Sequence, residues 1–63
     1  MNKEDLQEFI GKTVLIVKKD NWRNRGIITK ISEDSLFLQT DNDLRVISLD
    51  QIFEVKQSIN NQK

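Results

Sequence analysis

Short apolar runs, parted by Asn, Asp, Glu and Gly, fill residues 13–56 of a 63-residue chain. Runs this brief and this closely spaced leave no room for long helices. They point instead to antiparallel strands joined by tight turns. The pattern places strands at 13–19, 25–32, 35–40, 44–48 and 52–56. Proline is absent, so the turns fall to Gly, Asn and Asp. Asp20-Asn21-Trp22-Arg23-Asn24 is a loop, Glu33-Asp34 a tight turn, and Asp41-Asn42-Asp43 a hairpin turn.

The strands differ in how they alternate. Val14 to Val17 is apolar at every position, so both faces of this strand are expected to be covered. In the second strand Ile27, Thr29 and Ile31 fall on one face, and Ile28 and Lys30 on the other. Leu36 and Leu38 share a face that Phe37 does not. Before the strands, residues 2–10 read as a helix. Asn2 is its N-cap, Glu4 and Asp5 lie in its first turn, and Leu6, Phe9 and Ile10 form one apolar stripe. Gly11 ends it, and the helix is expected to cover the second face of the first strand. Leu49-Asp50-Gln51 reads as a single helical turn between the last two strands. Residues 58–63 form a polar tail.

One helix and five short strands make one domain, spanning 1–57. A mainly β, strongly bent antiparallel sheet that closes into a small barrel removes exposed edges with the least chain. A domain of this size buries only about 60% of the surface of its unfolded chain. Without cysteine or histidine it has neither a disulfide nor a zinc site to help it. Self-association is the remaining aid.

Composition narrows the chemistry. No His, Cys or Tyr is present, which removes the commonest general base and the strongest nucleophile. The paired carboxylates Glu33-Asp34 and Asp41/Asp43 fall on turns, where their backbone chemistry explains them. The Asp41-Asn42-Asp43 run lacks the glycine and closing glutamate of a calcium loop. A binding protein is expected, with no catalytic residues, metal or cofactor. No apolar run approaches a membrane span, and the N-terminus does not read as a signal peptide. A cytoplasmic protein with no membrane partner follows.

Charge is balanced overall, ten Lys+Arg against ten Asp+Glu, but unevenly placed. Lys12, Lys18, Lys19, Arg23, Arg25 and Lys30 face one acid, Asp20. Farther along, Glu33, Asp34, Asp41, Asp43, Asp50 and Glu54 face one base, Arg45. The basic half contains the only tryptophan. Lys18, Lys19, Arg23, Arg25 and Lys30 are candidate phosphate contacts, and Trp22 is a candidate stacking platform for a base. The plainer reading has Trp22 folded back over the open end of the barrel amid solvated charges. A protein contact through Trp22 and the arginines is a third.

Phe9-Ile10-Gly11-Lys12, Val14-Leu15-Ile16-Val17, Gly26-Ile27-Ile28, Leu36-Phe37-Leu38 and the run from Ile47 to Val55 together resemble the Sm-like proteins. That ring-forming family includes the eukaryotic Sm and LSm proteins and the bacterial host factor Hfq. The resemblance covers about residues 6–56. It implies a small barrel with Gly26 at the point of sharpest bending, and a homo-oligomer in which the fourth strand of one copy pairs with the fifth of the next. It also implies single-stranded RNA as partner. Val46, Ile47, Leu49, Phe53 and Val55 are the candidate interface residues. The family's RNA-pocket residues do not carry over. Ser32 stands where its Asp is expected, and Ile47-Ser48 where its Arg-Gly pair is expected. Some small SH3-like and Sm-like domains bind proteins instead, through the barrel and an exposed strand edge, which keeps an adaptor or regulator as the alternative.

Overall fold

The apolar stripe at the N-terminus forms a shorter helix than its length suggests. In the computed structural model, which describes residues 2–57, α1 covers Lys3–Leu6 and tightens into a 3-10 turn over Gln7–Phe9. Asn2 holds the N-cap position with extended backbone angles, but its side chain makes no capping hydrogen bond. Ile10 leaves the helix to form a parallel bridge with Ile28. Gly11 then turns the chain at φ +85°, and its amide donates to the Ile28 carbonyl at 2.7 Å. Pairing with the sheet therefore competes with, and ends, the helix.

Five strands follow: β1 (Thr13–Lys18), β2 (Arg23–Ile31), β3 (Ser35–Gln39), β4 (Leu44–Ser48) and β5 (Ile52–Gln57), with a 3-10 turn over Leu49–Gln51 before β5. All pair antiparallel in one sheet, in the order β4-β3-β2-β1-β5. Strand β2 is the longest and serves two neighbours. Its first half pairs with β1 from Arg23 to Ile27, and its second half with β3 from Ile27 to Ile31.

The expected barrel does not close. Strands β4 and β5 lie at opposite edges of the sheet. Other links hold the sheet together instead. The Leu49 amide donates to the Asp34 carbonyl at 2.9 Å, and the Lys19 amide to the Gln51 carbonyl at 2.8 Å. The turn between β4 and β5 is thus fastened to two different loops.

Leu6, Val14, Ile16, Ile28, Leu36 and Leu38 are fully buried at the centre, joined by Ile31, Ile47, Leu49 and Ile52. Phe9, Trp22 and Val55 pack on this cluster while partly exposed. The helix therefore completes the inner core and does not cover the second face of β1. On that outer face Val17 is buried yet stands outside the core cluster, between Arg23 on β2 and Glu54 on β5.

Strand β2 also departs from strict alternation. The register shifts between Ile28 and Lys30, so Thr29 is an extra residue. A bulge of this kind resets which face the following side chains take. Ile28 and Ile31, expected on opposite faces, are both in the core, while Ile27 is 42% exposed. A second bulge in β5, opposite Val17 and Lys18, turns Phe53 out of the ladder. The tail at 58–63 lies outside the described residues.

Candidate nucleic-acid interface

The β1–β2 connection is tightly built. Asn21 sits at φ +73°, a conformation Asn tolerates better than most residues. Its amide donates to the Lys18 carbonyl at 2.9 Å, and the Lys18 amide donates to the Trp22 carbonyl at 2.8 Å. The Asp20 carboxylate accepts from the Trp22 amide at 3.0 Å. The loop's Asp and Asn are accounted for by this turn chemistry.

That turn aims Trp22 inward. The indole is half-buried and packs on the core. The Lys18 Nζ lies 5.2 Å from its ring centroid, and the Arg45 guanidinium carbon 5.8 Å. Contacts of this sort contribute about 0.5–1 kcal/mol each where exposed. Because Arg45 belongs to β4 and Lys18 to β1, Trp22 reaches across the open side of the sheet. Lys18 and Arg45 thus compete with an incoming base for the indole. Sequence reasoning did not assign Arg45 to this site. Its only local signal is that it is the lone base in an acidic stretch, and the fold alone brings it to Trp22.

The remaining candidate cations divide into two groups. Lys19 is exposed in the turn, and Arg23 and Arg25 open β2. Positions 23 and 25 share one face of the strand. Each faces the outer side of β1, Arg23 opposite Val17 and Arg25 opposite Leu15. Lys30 is elsewhere. It lies five residues, or roughly 16 Å of strand, beyond Arg25, with its Nζ 5.6 Å from the Phe37 ring centroid. Among the described residues the ion pairs are Lys3–Glu33 at 3.2 Å and Arg45–Asp43 at 3.3 Å. The carboxylate of Asp43 also accepts from the Thr40 hydroxyl at 2.7 Å, which fixes the hairpin turn. Among the described residues, Arg23, Arg25, Lys19 and Lys30 have no ion-pair partner.

The candidate interface residues also separate. Ile47 and Leu49 lie in the chain's own core, so their side chains are already occupied. Val55 packs on that core while half-buried. Val46 and Phe53 are left, 58% and 67% exposed, one on each edge strand.

Acidic groups gather around the N-terminal helix and the turn before β5. Asn2, Lys3, Glu4, Glu33, Asp34, Leu49 and Asp50 line a cleft of about 350 Å³. Among the described residues no three carboxylates stand where they could hold a metal ion, and no helix is long and apolar enough to cross a membrane. The uneven charge of the sequence does not become a clean division in space: Glu4, Glu33, Asp34 and Asp50 line this cleft, but Asp41 lines a second cleft with Arg25, and Glu54 shares a row with Arg23. No family model, curated protein or solved structure matches the chain.

Proposed function

We propose that this chain is a non-enzymatic, Sm-like binding protein that takes single-stranded RNA on the β1–β2 hairpin and acts as a homo-oligomer. The observation that carries this reading is the exposure of Lys19, Arg23 and Arg25, without an ion-pair partner among the described residues, beside the only tryptophan of the sequence. Unpaired cations on a short, well-held hairpin suit phosphates, which supply most of the affinity in sequence-tolerant binding. Lys18 and Arg45 hold the indole at the edge of that surface, and Lys30 adds positive field from farther along β2. The helix-first order and the strand order β4-β3-β2-β1-β5 are consistent with an Sm-like sheet. The unpaired edges β4 and β5 are the strands that would join copies.

The test is a titration of the intact protein with single-stranded RNA at low and high salt, read by the emission of Trp22. Binding is expected to weaken as salt rises, with a slope on logarithmic axes of about −0.7 for each phosphate neutralised. The double variant Arg23→Ala/Arg25→Ala is expected to lose most of the binding. Unchanged binding by that variant would remove the hairpin from the interface.

A second reading is favoured by Val46 and Phe53, apolar and exposed on the two open edges. An adaptor that accepts a strand of another protein at such an edge would bind by main-chain pairing. Its affinity would respond little to salt and would survive Arg23→Ala/Arg25→Ala.

A further inference from the structure

We propose that the bound strand does not stop at the hairpin but runs across the outer face of β2, β1 and β5, from Arg25 over Leu15 to Lys56. This rests on the nucleic-acid reading above and extends its surface to a strand that the sequence does not connect with it. Leu15 is paired with Arg25 on one side and with Lys56 on the other. Residues directly opposite in antiparallel strands share a face, so the three form one row. Arg25 and Lys56 are exposed, and neither has an ion-pair partner among the described residues. They stand two strand spacings apart, roughly 10 Å between backbones, with half-buried Leu15 between them. Two long cations flanking an apolar floor offer a polyanion two anchors and a surface on which a sugar or base can lie.

The neighbouring row sets the boundary of the path. Val17 is paired with Arg23 and with Glu54. Arg23 extends the cationic corner on β2, while Glu54 places a negative charge on β5, two residues from Lys56. A phosphate chain entering at Arg23 and Arg25 is therefore drawn toward Lys56 and repelled from Glu54. Lys56 lies 31 residues from Arg25 in sequence, and only the β2-β1-β5 order brings the two onto one face.

The opposite charges on β5 make the test two-sided. Lys56→Gln is expected to weaken single-stranded RNA binding and to flatten its salt slope by about 0.7, the share of one phosphate contact. Glu54→Gln is expected to tighten binding at low salt. Circular dichroism of both variants should match the parent, since each change is at a partly or fully exposed position. If Arg23→Ala/Arg25→Ala weakens binding but neither β5 variant changes affinity or slope, the path across β5 is wrong and the hairpin reading stands. If the parent protein binds no single-stranded RNA, the nucleic-acid reading fails and this inference with it. If polyglutamate of matched charge competes as well as RNA, the row is a surface for acidic protein and the assignment to nucleic acid is overturned.

Discussion

Gly26 shows how much a single position can be required to leave empty. It lies in β2 opposite Val14, and β3 passes over it so closely that a Cβ there would stand 2.5 Å from the Gln39 carbonyl oxygen and 2.9 Å from Leu38 Cγ. The carbonyl is main chain in a residue that pairs with Ile27 on one side and Leu44 on the other. It cannot step aside without disturbing both ladders. This is steric crowding, unlike Gly11, where a Cβ would meet nothing within 4 Å and the demand is a positive φ. Gly26→Ala is expected to lower stability by about 1–3 kcal/mol, the usual cost of overpacking. Urea unfolding followed by the emission of Trp22 would read this as a lower midpoint. An unchanged midpoint would mean that β3 does not press on this position.

The elements were legible in outline and less so in their faces. Leu36, Phe37 and Leu38 alternate as the sequence pattern requires, with both leucines buried. The five strands and the turn over Leu49–Gln51 also lie close to where turn residues and apolar runs place them, except that β2 begins at Arg23: Arg23 and Asn24, expected in the loop, pair with Val17 and Ile16 of β1. What periodicity could not show is the bulge at Thr29, which puts Ile28 and Ile31 together in the core. A bulge has no spacing signal of its own, because it is set by the neighbouring strand. The same limit hid the destination of the N-terminal helix. The stripe of Leu6, Phe9 and Ile10 reports that one side is buried, not against what. Within the site, the cations of residues 18–25 were visible in sequence, whereas Arg45 beside Trp22 and Lys56 beside Leu15 depend on strand order. The short helix has a test of its own. Leu6 is fully buried among core residues, and Leu→Ala changes at such sites cost about 2–5 kcal/mol. A single core in a domain this small rarely supplies more than about 3–5 kcal/mol. Leu6→Ala is therefore expected to unfold most of the protein at room temperature, seen as loss of β-sheet circular dichroism. A variant that keeps the parent's melting temperature would show that the helix rests on the sheet without completing its core.

For the molecule as a whole, the open edges carry the argument. A five-stranded sheet that does not close leaves β4 and β5 with unpaired backbone groups, and natural proteins protect such edges with charge, bulges or a partner. Here β5 has both a bulge and the charges of Glu54 and Lys56. Strand β4 is regularly paired to β3 along its length and exposes Leu44 and Val46 on its outer side. Its one charge is Arg45, which is engaged with Asp43 and Trp22. The least protected edge is thus β4. Pairing with β5 of another copy would satisfy both edges at once, and it repeats head to tail until a ring closes. The parent protein is then expected to have the mass of an oligomer in light scattering, and its melting temperature should rise with concentration. Val46→Lys places a charge on the exposed side of β4, away from the core. It is expected to yield a monomer with the same circular dichroism and a melting temperature that no longer depends on concentration. Phe53→Lys makes the same test from the β5 side. If the parent is a monomer at every concentration measured, the edges do not join copies. Val46 and Phe53 then remain available for a strand from a different protein, which is the adaptor reading.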